Sequence, residues 1–141
     1  FGGGDPDQVE HLGRFGLHLG FAFQLVDDLL GIWGDPMVTG KSVHSDLQNR
    51  KKTLPVVAAL TSGTDAGREL AVLYGGDAPL TDTDLVLAAQ LVARAGGRGW
   101  SDSQRDQFLA EAQRNLERAH PRARAGAELR ALAEAIARRD H

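Results

Sequence analysis

The first part of this 141-residue chain carries one long helical pattern, and it limits the folds available. Apolar residues recur there at spacings of three and four, the periodicity of one face of an amphipathic α-helix. They are Val9, Leu12, Phe15, Leu19, Phe23, Val26 and Leu30. Gly34, Asp35 and Pro36 break the pattern, and no segment of the chain alternates as a strand would. The pattern predicts an all-α protein.

Five further helices are predicted from capping residues and helix breakers. They cover about residues 53–60, 65–74, 81–95, 101–120 and 124–138, with a non-helical polar connection over 34–53. Thr81 and Asp84 have the spacing of a capping box, so the acids at 82 and 84 are interpreted as helix-start residues.

Composition narrows the classes of function. The chain has 42% hydrophobic and 25% charged residues, as ordinary globular domains do, and a net charge of −3 gives no basic surface for nucleic acid. The absence of cysteine fits a cytoplasmic protein. Neither a signal peptide nor an uninterrupted run of 18 apolar residues is found, so we expect no stable membrane insertion. A small ligand is the expected partner.

All three lysines follow an aspartate pair at the end of the first helical pattern. The pair is Asp27 and Asp28, and the lysines are Lys41, Lys51 and Lys52. Mg²⁺ is commonly held by one or two carboxylates together with phosphate oxygens of its substrate, and lysine offers compact positive charge to the remaining phosphate oxygens. The pattern therefore predicts a magnesium diphosphate ligand. The alternative is a solvated acidic helix face, although the helix dipole disfavours uncompensated carboxylates near a C-terminal end.

Glycines on the same face as Asp27 leave a strip without side chains. Gly13, Gly16 and Gly20 fall within about a third of a turn of Asp27 at 100° per residue. Two interpretations of this strip stay open, and both can hold at once. The strip can be the wall of a cavity for an elongated apolar substrate, or it can allow close packing against another helix.

A stretch of about thirty residues around the pair resembles the second aspartate-rich region of the trans-isoprenyl diphosphate synthases, or polyprenyl synthetases. The matching segments are Phe23-Gln24-Leu25-Val26-Asp27-Asp28-Leu29-Leu30, Gly34-Asp35, Thr39-Gly40-Lys41, Ser45-Asp46-Leu47 and Lys51-Lys52-Thr53-Leu54-Pro55. The resemblance implies a helical bundle of the isoprenoid synthase type, of which residues 1–141 form the C-terminal part of a single domain. The first aspartate-rich motif belongs to the N-terminal part, upstream of this chain.

The resemblance also implies a chemistry and a set of residues. In this family Mg²⁺ ions bind the diphosphate of an allylic substrate, and isopentenyl diphosphate attacks the allylic carbocation that forms as the diphosphate departs. By position, Asp27 and Asp28 would be the catalytic metal ligands. Gln24, Lys41 and Lys51 would contact the substrate, whereas Lys52 fits the pattern less firmly. A homodimer is implied as well.

Two departures from the family pattern matter. The family motif reads D-D-x-x-D, but its third acid is replaced here by Gly31. Weaker or water-completed metal coordination is expected, because Mg²⁺ routinely keeps several waters. In addition, residues 1–141 contain no second Asp-Asp pair, so we expect these residues alone to be inactive. The alternatives are a non-catalytic, dimerising subunit or relic of such a synthase, and a helical metal-dependent phosphohydrolase.

Overall fold

The structure, a computed structural model, describes residues 6–139, and it is built from α-helices with no strand in that range. Its helices are α1 (Pro6–Trp33), α2 (Pro36–Thr39), α3 (Ser45–Gln48), α4 (Leu54–Leu60), α5 (Asp65–Tyr74), α6 (Asp82–Arg94), α7 (Gly97–Ala119) and α8 (Ala123–Arg138). The predicted all-α fold class is confirmed.

Helix α1 buries three of the seven residues of its predicted apolar stripe and partly buries Leu12 and Leu30. Phe15, Leu19 and Val26 are buried, whereas Val9 and Phe23, which were expected on the same buried face, are exposed. By length and composition alone α1 could cross a membrane, and half of its most apolar window is buried inside the chain. Core helices of soluble proteins meet the same criterion, so the absence of membrane insertion stays a prediction.

The chain divides into two compact units, and α1 contributes residues to both. Among the described residues, the first unit contains 6–26 and 104–139. Its core consists of apolar side chains from α1, α7 and α8, namely Phe15, Leu19, Ala112, Leu116 and Ala133. Burial of this apolar area is the main stabilising contribution within the unit.

The second unit contains Asp27–Ser103 and carries the aspartate pair and all three lysines. Its core comes from the end of α1 and from α3 to α6, and includes Ile32, Leu47, Val56, Leu70 and Leu91. The predicted capping box of α6 is confirmed. The Thr81 side chain accepts a hydrogen bond from the Asp84 N–H, and the Asp84 carboxylate accepts one from the Thr81 N–H.

Two short helices lie in the connection that was predicted to be non-helical, so that prediction is wrong for α2 and α3. In α2 the Asp35 carboxylate accepts a hydrogen bond of 2.9 Å from the Met37 N–H, and Pro36 occupies the first turn, where its missing N–H costs nothing. The residues that break α1 therefore also start α2.

Helix α7 begins at Gly97, four residues before the predicted start at Ser101. Gly96 adopts a left-handed conformation with φ of 89°, which glycine tolerates, and this allows the chain to turn directly from α6 into α7. A Cβ atom at Gly97 would lie 2.3 Å from the Pro55 carbonyl oxygen, so only glycine fits this close approach to α4.

Candidate functional site

Asp28 is a buried carboxylate that caps another helix. Its side chain is only 3% exposed, and its Oδ2 accepts a hydrogen bond of 3.0 Å from the Leu54 N–H at the start of α4. The α4 N-cap residue, Thr53, provides no side-chain cap of its own. The carboxylate from α1 thus takes over that role and fixes the segment before α4 against the aspartate pair.

Asp27 has a different environment from its neighbour. Successive helical residues point about 100° apart, and Asp27 is only partly buried where Asp28 is buried. Both aspartates have further interactions within the structure. Of the two, Asp27 is the carboxylate that keeps contact with solvent and can meet a dissolved cation.

Position 31, where the family motif has its third acid, is a glycine that lies against Asp46, a residue of α3. A Cβ atom built on Gly31 would lie 1.9 Å from Oδ2 of Asp46 and 2.5 Å from its Cγ. The Asp46 carboxylate therefore occupies the space that any side chain at position 31 would enter. Asp46 is not among the predicted site residues, although it stands in the Ser45-Asp46-Leu47 segment of the family resemblance.

The backbone of Lys51 is held at both of its polar groups. Its N–H donates a 2.9 Å hydrogen bond to the Asp46 carbonyl oxygen, and its own carbonyl oxygen accepts one of 3.0 Å from the Tyr74 hydroxyl. Burial, followed by the negative charge of Asp46, raises the pKa of Tyr74 to about 12, with the Arg50 guanidinium opposing the shift. The phenol is therefore a protonated donor at neutral pH, while the Lys51 side chain is exposed.

The remaining predicted substrate-binding residues are exposed. Lys41 follows Gly40, whose φ of 71° lies in the left-handed region, and its N–H donates to the Thr39 hydroxyl at 3.1 Å. Lys52 is also exposed in the second unit, whereas Gln24 lies at an exposed position of α1 within the first unit. The hydrogen bond that the Leu54 N–H donates to Asp28 holds the segment carrying Lys51 and Lys52 next to the pair.

The donors in the second unit fit a hard cation such as Mg²⁺. The carboxylates of Asp27 and Asp46 are the oxygen ligands that Mg²⁺ prefers, and Thr53 Oγ1 is a buried oxygen without a hydrogen-bond partner in the described part of the chain. Within residues 6–139, no three histidine, aspartate or glutamate side chains converge into a complete metal site. Mg²⁺ does not require one, since substrate phosphates and waters complete its octahedron.

The glycine strip of α1 is open in the described residues. A Cβ atom at Gly13, Gly16 or Gly20 would meet nothing within 4 Å. Close helix packing through these glycines is therefore not made by residues 6–139, and the cavity-wall interpretation stays a prediction. One surface pocket of about 480 Å³ is lined by residues of α6, and another of about 400 Å³ by residues of α1, the end of α7 and His120. Neither includes a predicted site residue.

Comparison with known proteins identifies the family. The sequence profile described as polyprenyl synthetase matches residues 1–91. A geranylgeranyl diphosphate synthase of Mycobacterium tuberculosis is 47% identical over 136 residues, which is 96% of this chain and 38% of that protein. The chain belongs to the polyprenyl synthetase family, and its curated relatives are prenyl diphosphate synthases.

Solved structures share the fold. A polyprenyl synthetase from Streptomyces coelicolor is 40% identical with a TM-score of 0.89, and the match covers 96% of this chain and 42% of that one. A geranylgeranyl pyrophosphate synthase from Corynebacterium glutamicum, solved with isoprenyl diphosphate and magnesium, is 27% identical with a TM-score of 0.84, covering 96% of this chain and 39% of that one. The chain thus spans about two fifths of the length of these relatives.

Proposed function

We propose that the full-length protein condenses isopentenyl diphosphate with an allylic diphosphate to give a longer trans-isoprenyl diphosphate. In this proposal residues 1–141 supply the second metal-diphosphate motif, and the first motif lies upstream. The observation that carries the proposal is the hydrogen bond from the Leu54 N–H to Asp28. This hydrogen bond joins the segment that contains Lys51 to the aspartate pair. The proposed metal ligands and the proposed phosphate-binding lysine therefore belong to one connected region.

The residues have separate roles in the proposed reaction. Asp27 is the main metal ligand of the pair. Asp28 is the second proposed ligand of the pair, and its Oδ2 also accepts the hydrogen bond from the start of α4. Lys41 and Lys51 bind the allylic diphosphate, and Gln24 donates a hydrogen bond beside the motif. Asp27 and Asp28 would hold Mg²⁺, which would supply positive charge to neutralise the negative charge that develops on the departing diphosphate.

Support for the ligands comes from the relatives and from the donor set. The Corynebacterium glutamicum enzyme was crystallised with magnesium and isoprenyl diphosphate. The carboxylates of Asp27 and Asp28 are oxygen ligands of the kind that the same cation prefers. The proposal includes a homodimer, which the family resemblance implies. It also includes a cytoplasmic location without membrane insertion, which the composition favours.

One observation favours a second candidate, a non-catalytic dimerising subunit or relic of a synthase. The third acid of the motif is absent from its usual position, where Gly31 stands. The two candidates differ in whether the protein binds an allylic diphosphate in a metal-dependent way.

The test is magnesium-dependent binding of a non-hydrolysable allylic diphosphate analogue to the full-length protein, measured by calorimetry. We expect Asp27→Ala and Lys51→Ala each to weaken binding by about tenfold or more, since each removes a charge-assisted contact worth roughly 1.5–3 kcal/mol. Lys52→Ala is the matched control and is expected to bind almost as the parent does. If the parent does not bind, or if both variants bind like the parent, the proposed roles are wrong.

A further inference from the structure

We propose that Arg50 is a positioning residue, which binds no substrate itself but fixes the backbone from which Lys51 reaches the diphosphate. The inference rests on the proposed function, because it concerns a lysine of the same site. It follows from the backbone conformation of Arg50, from the two carbonyl oxygens that its guanidinium binds, and from the contacts of the Lys51 backbone.

Arg50 has an unusual backbone conformation. Its φ is 49°, in the left-handed region, which residues with a Cβ atom visit rarely because the Cβ approaches the following carbonyl oxygen. The chain turns here between α3 and the segment before α4, and the Arg50 N–H donates a 2.9 Å hydrogen bond to the Leu47 carbonyl oxygen. Lys51 is the first residue after this turn. Its direction therefore depends on whether residue 50 keeps the left-handed conformation.

The guanidinium of Arg50 joins this turn to the end of α5. Its Nε donates a 3.2 Å hydrogen bond to the Leu73 carbonyl oxygen, and its Nη2 donates one of 2.5 Å to the Ala78 carbonyl oxygen, in the connection between α5 and α6. The last carbonyl oxygens of a helix lack helical partners, and positive charge is favourable beside them. The planar fork of donors in arginine serves two oxygens at once, whereas lysine has a single charged nitrogen.

The backbone of Lys51 is restrained by the same neighbours. Its N–H donates to the Asp46 carbonyl oxygen, and its carbonyl oxygen accepts a hydrogen bond from the Tyr74 hydroxyl. Tyr74 follows Leu73, so the end of α5 holds residues 50 and 51 at neighbouring points. Arg50 is half-buried, whereas the Lys51 side chain is exposed. The two adjacent basic residues thus have different tasks, because the guanidinium is bound to carbonyl groups of the protein while the ammonium can meet a diphosphate.

The experiment is a double-mutant cycle in the full-length protein, with the parent, Arg50→Gly, Lys51→Ala and the double variant. Binding of the non-hydrolysable allylic diphosphate analogue in the presence of Mg²⁺ is measured by calorimetry, and melting temperature is measured without ligand. Glycine adopts the left-handed conformation without strain, so Arg50→Gly removes the two side-chain hydrogen bonds but keeps the turn possible. Arg68→Ala is the matched control, since Arg68 also donates to a backbone carbonyl oxygen, that of Gly63 before α5.

We expect Arg50→Gly to weaken analogue binding about three- to tenfold, because the Lys51 side chain must then be ordered when the analogue binds. In the Lys51→Ala background the same substitution should change the affinity by about twofold at most, because no lysine remains to be positioned. Arg50→Lys keeps the charge but not the fork of donors, so it should cause a smaller loss with the same dependence on Lys51. Arg68→Ala should bind like the parent.

Equal losses from Arg50→Gly in the two backgrounds would show that Arg50 acts independently of Lys51, and would overturn the inference. A folded Arg50→Gly variant that binds like the parent would overturn it too, as would a Lys51→Ala variant that does so. If Arg50→Gly fails to fold, the cycle with Arg50→Lys decides by the same comparison. The proposed function survives these outcomes as long as the parent binds the analogue. A parent without magnesium-dependent analogue binding would overturn the proposed function and the inference together.

Discussion

Tyr74 illustrates how a residue outside the motif can position one inside it. Its hydroxyl donates a hydrogen bond to the carbonyl oxygen of Lys51, and the Lys51 N–H donates one to the carbonyl oxygen of Asp46. The exposed Lys51 side chain therefore extends from a backbone that is fixed on both sides. Nothing in the sequence pattern indicates this contact, because Tyr74 and Lys51 are 23 residues apart and belong to different predicted elements.

Replacing Tyr74 with phenylalanine tests this contact. The free energy of unfolding should fall by about 1 kcal/mol, the typical net value of one hydrogen bond, and analogue binding should weaken because Lys51 is less well positioned. Urea unfolding and calorimetry with the full-length protein measure the two effects. Unchanged stability and unchanged affinity would show that the hydrogen bond has no such role.

The raised pKa of Tyr74 predicts that the stability of the protein falls at alkaline pH. The pKa of Tyr74 is about 12 in the folded protein against 10.0 for an ordinary tyrosine. Because the folded state holds the proton more tightly, this contribution to stability is complete below pH 10 and is lost as the pH rises towards 12. The Tyr74→Phe variant should lack this part of the decline in urea unfolding between pH 9 and 11.5, and a parallel decline in both proteins would contradict the assignment.

At the scale of elements, the start of α4 depends on a carboxylate from α1. The Asp27-Asp28 motif predicts two equivalent metal ligands. The tertiary structure distinguishes them, because Asp28 accepts a hydrogen bond from the Leu54 N–H of α4. Helix periodicity shows that the two side chains point apart. It cannot show which of them meets another helix, since that depends on how α1 and α4 pack.

Removing the Asp28 side chain should therefore destabilise the protein. We expect Asp28→Ala to lower the free energy of unfolding by about 2 kcal/mol, because it leaves the part-buried Leu54 N–H without its charged acceptor. Asp28→Asn should cost less than Asp28→Ala, because it keeps an oxygen acceptor. Asp27→Ala should also cost less, because Asp27 is only partly buried whereas Asp28 is buried. Chemical unfolding of the three variants provides the comparison. Equal losses for Asp27→Ala and Asp28→Ala would contradict the distinction.

Predicted and observed helices agree where local signals act alone. The capping box of α6 is encoded by neighbouring residues, and that helix forms where expected. Helix α4 also begins where expected, with Pro55 in its first turn, but its cap comes from Asp28 and not from Thr53. The start of α7 was missed, because Gly96-Gly97 is an ordinary helix stop by composition. In the structure Gly96 makes a sharp turn, and Gly97 lies against the Pro55 carbonyl oxygen. The start of α7 therefore depends on a residue about forty positions away.

At the scale of the whole molecule, residues 1–141 carry one acidic pair and about two fifths of the length of their relatives. A reaction that holds two diphosphates needs cation ligands beyond this set. The isolated chain is therefore expected to show no turnover of allylic and isopentenyl diphosphates, measured by product chromatography with the full-length protein as the positive control. Measurable product from the isolated chain would contradict this expectation.

The sequence alone determined the all-α class, most helix boundaries and the family, because helix periodicity, caps and a contiguous motif are local properties of the chain. It also located the carboxylates and lysines of the proposed site. Only the tertiary structure decided that Asp28 caps α4, that Tyr74 holds Lys51 and that Asp46 fills the space above Gly31. Each of these contacts joins residues at least 15 positions apart, and packing, which no local pattern records, brings them together.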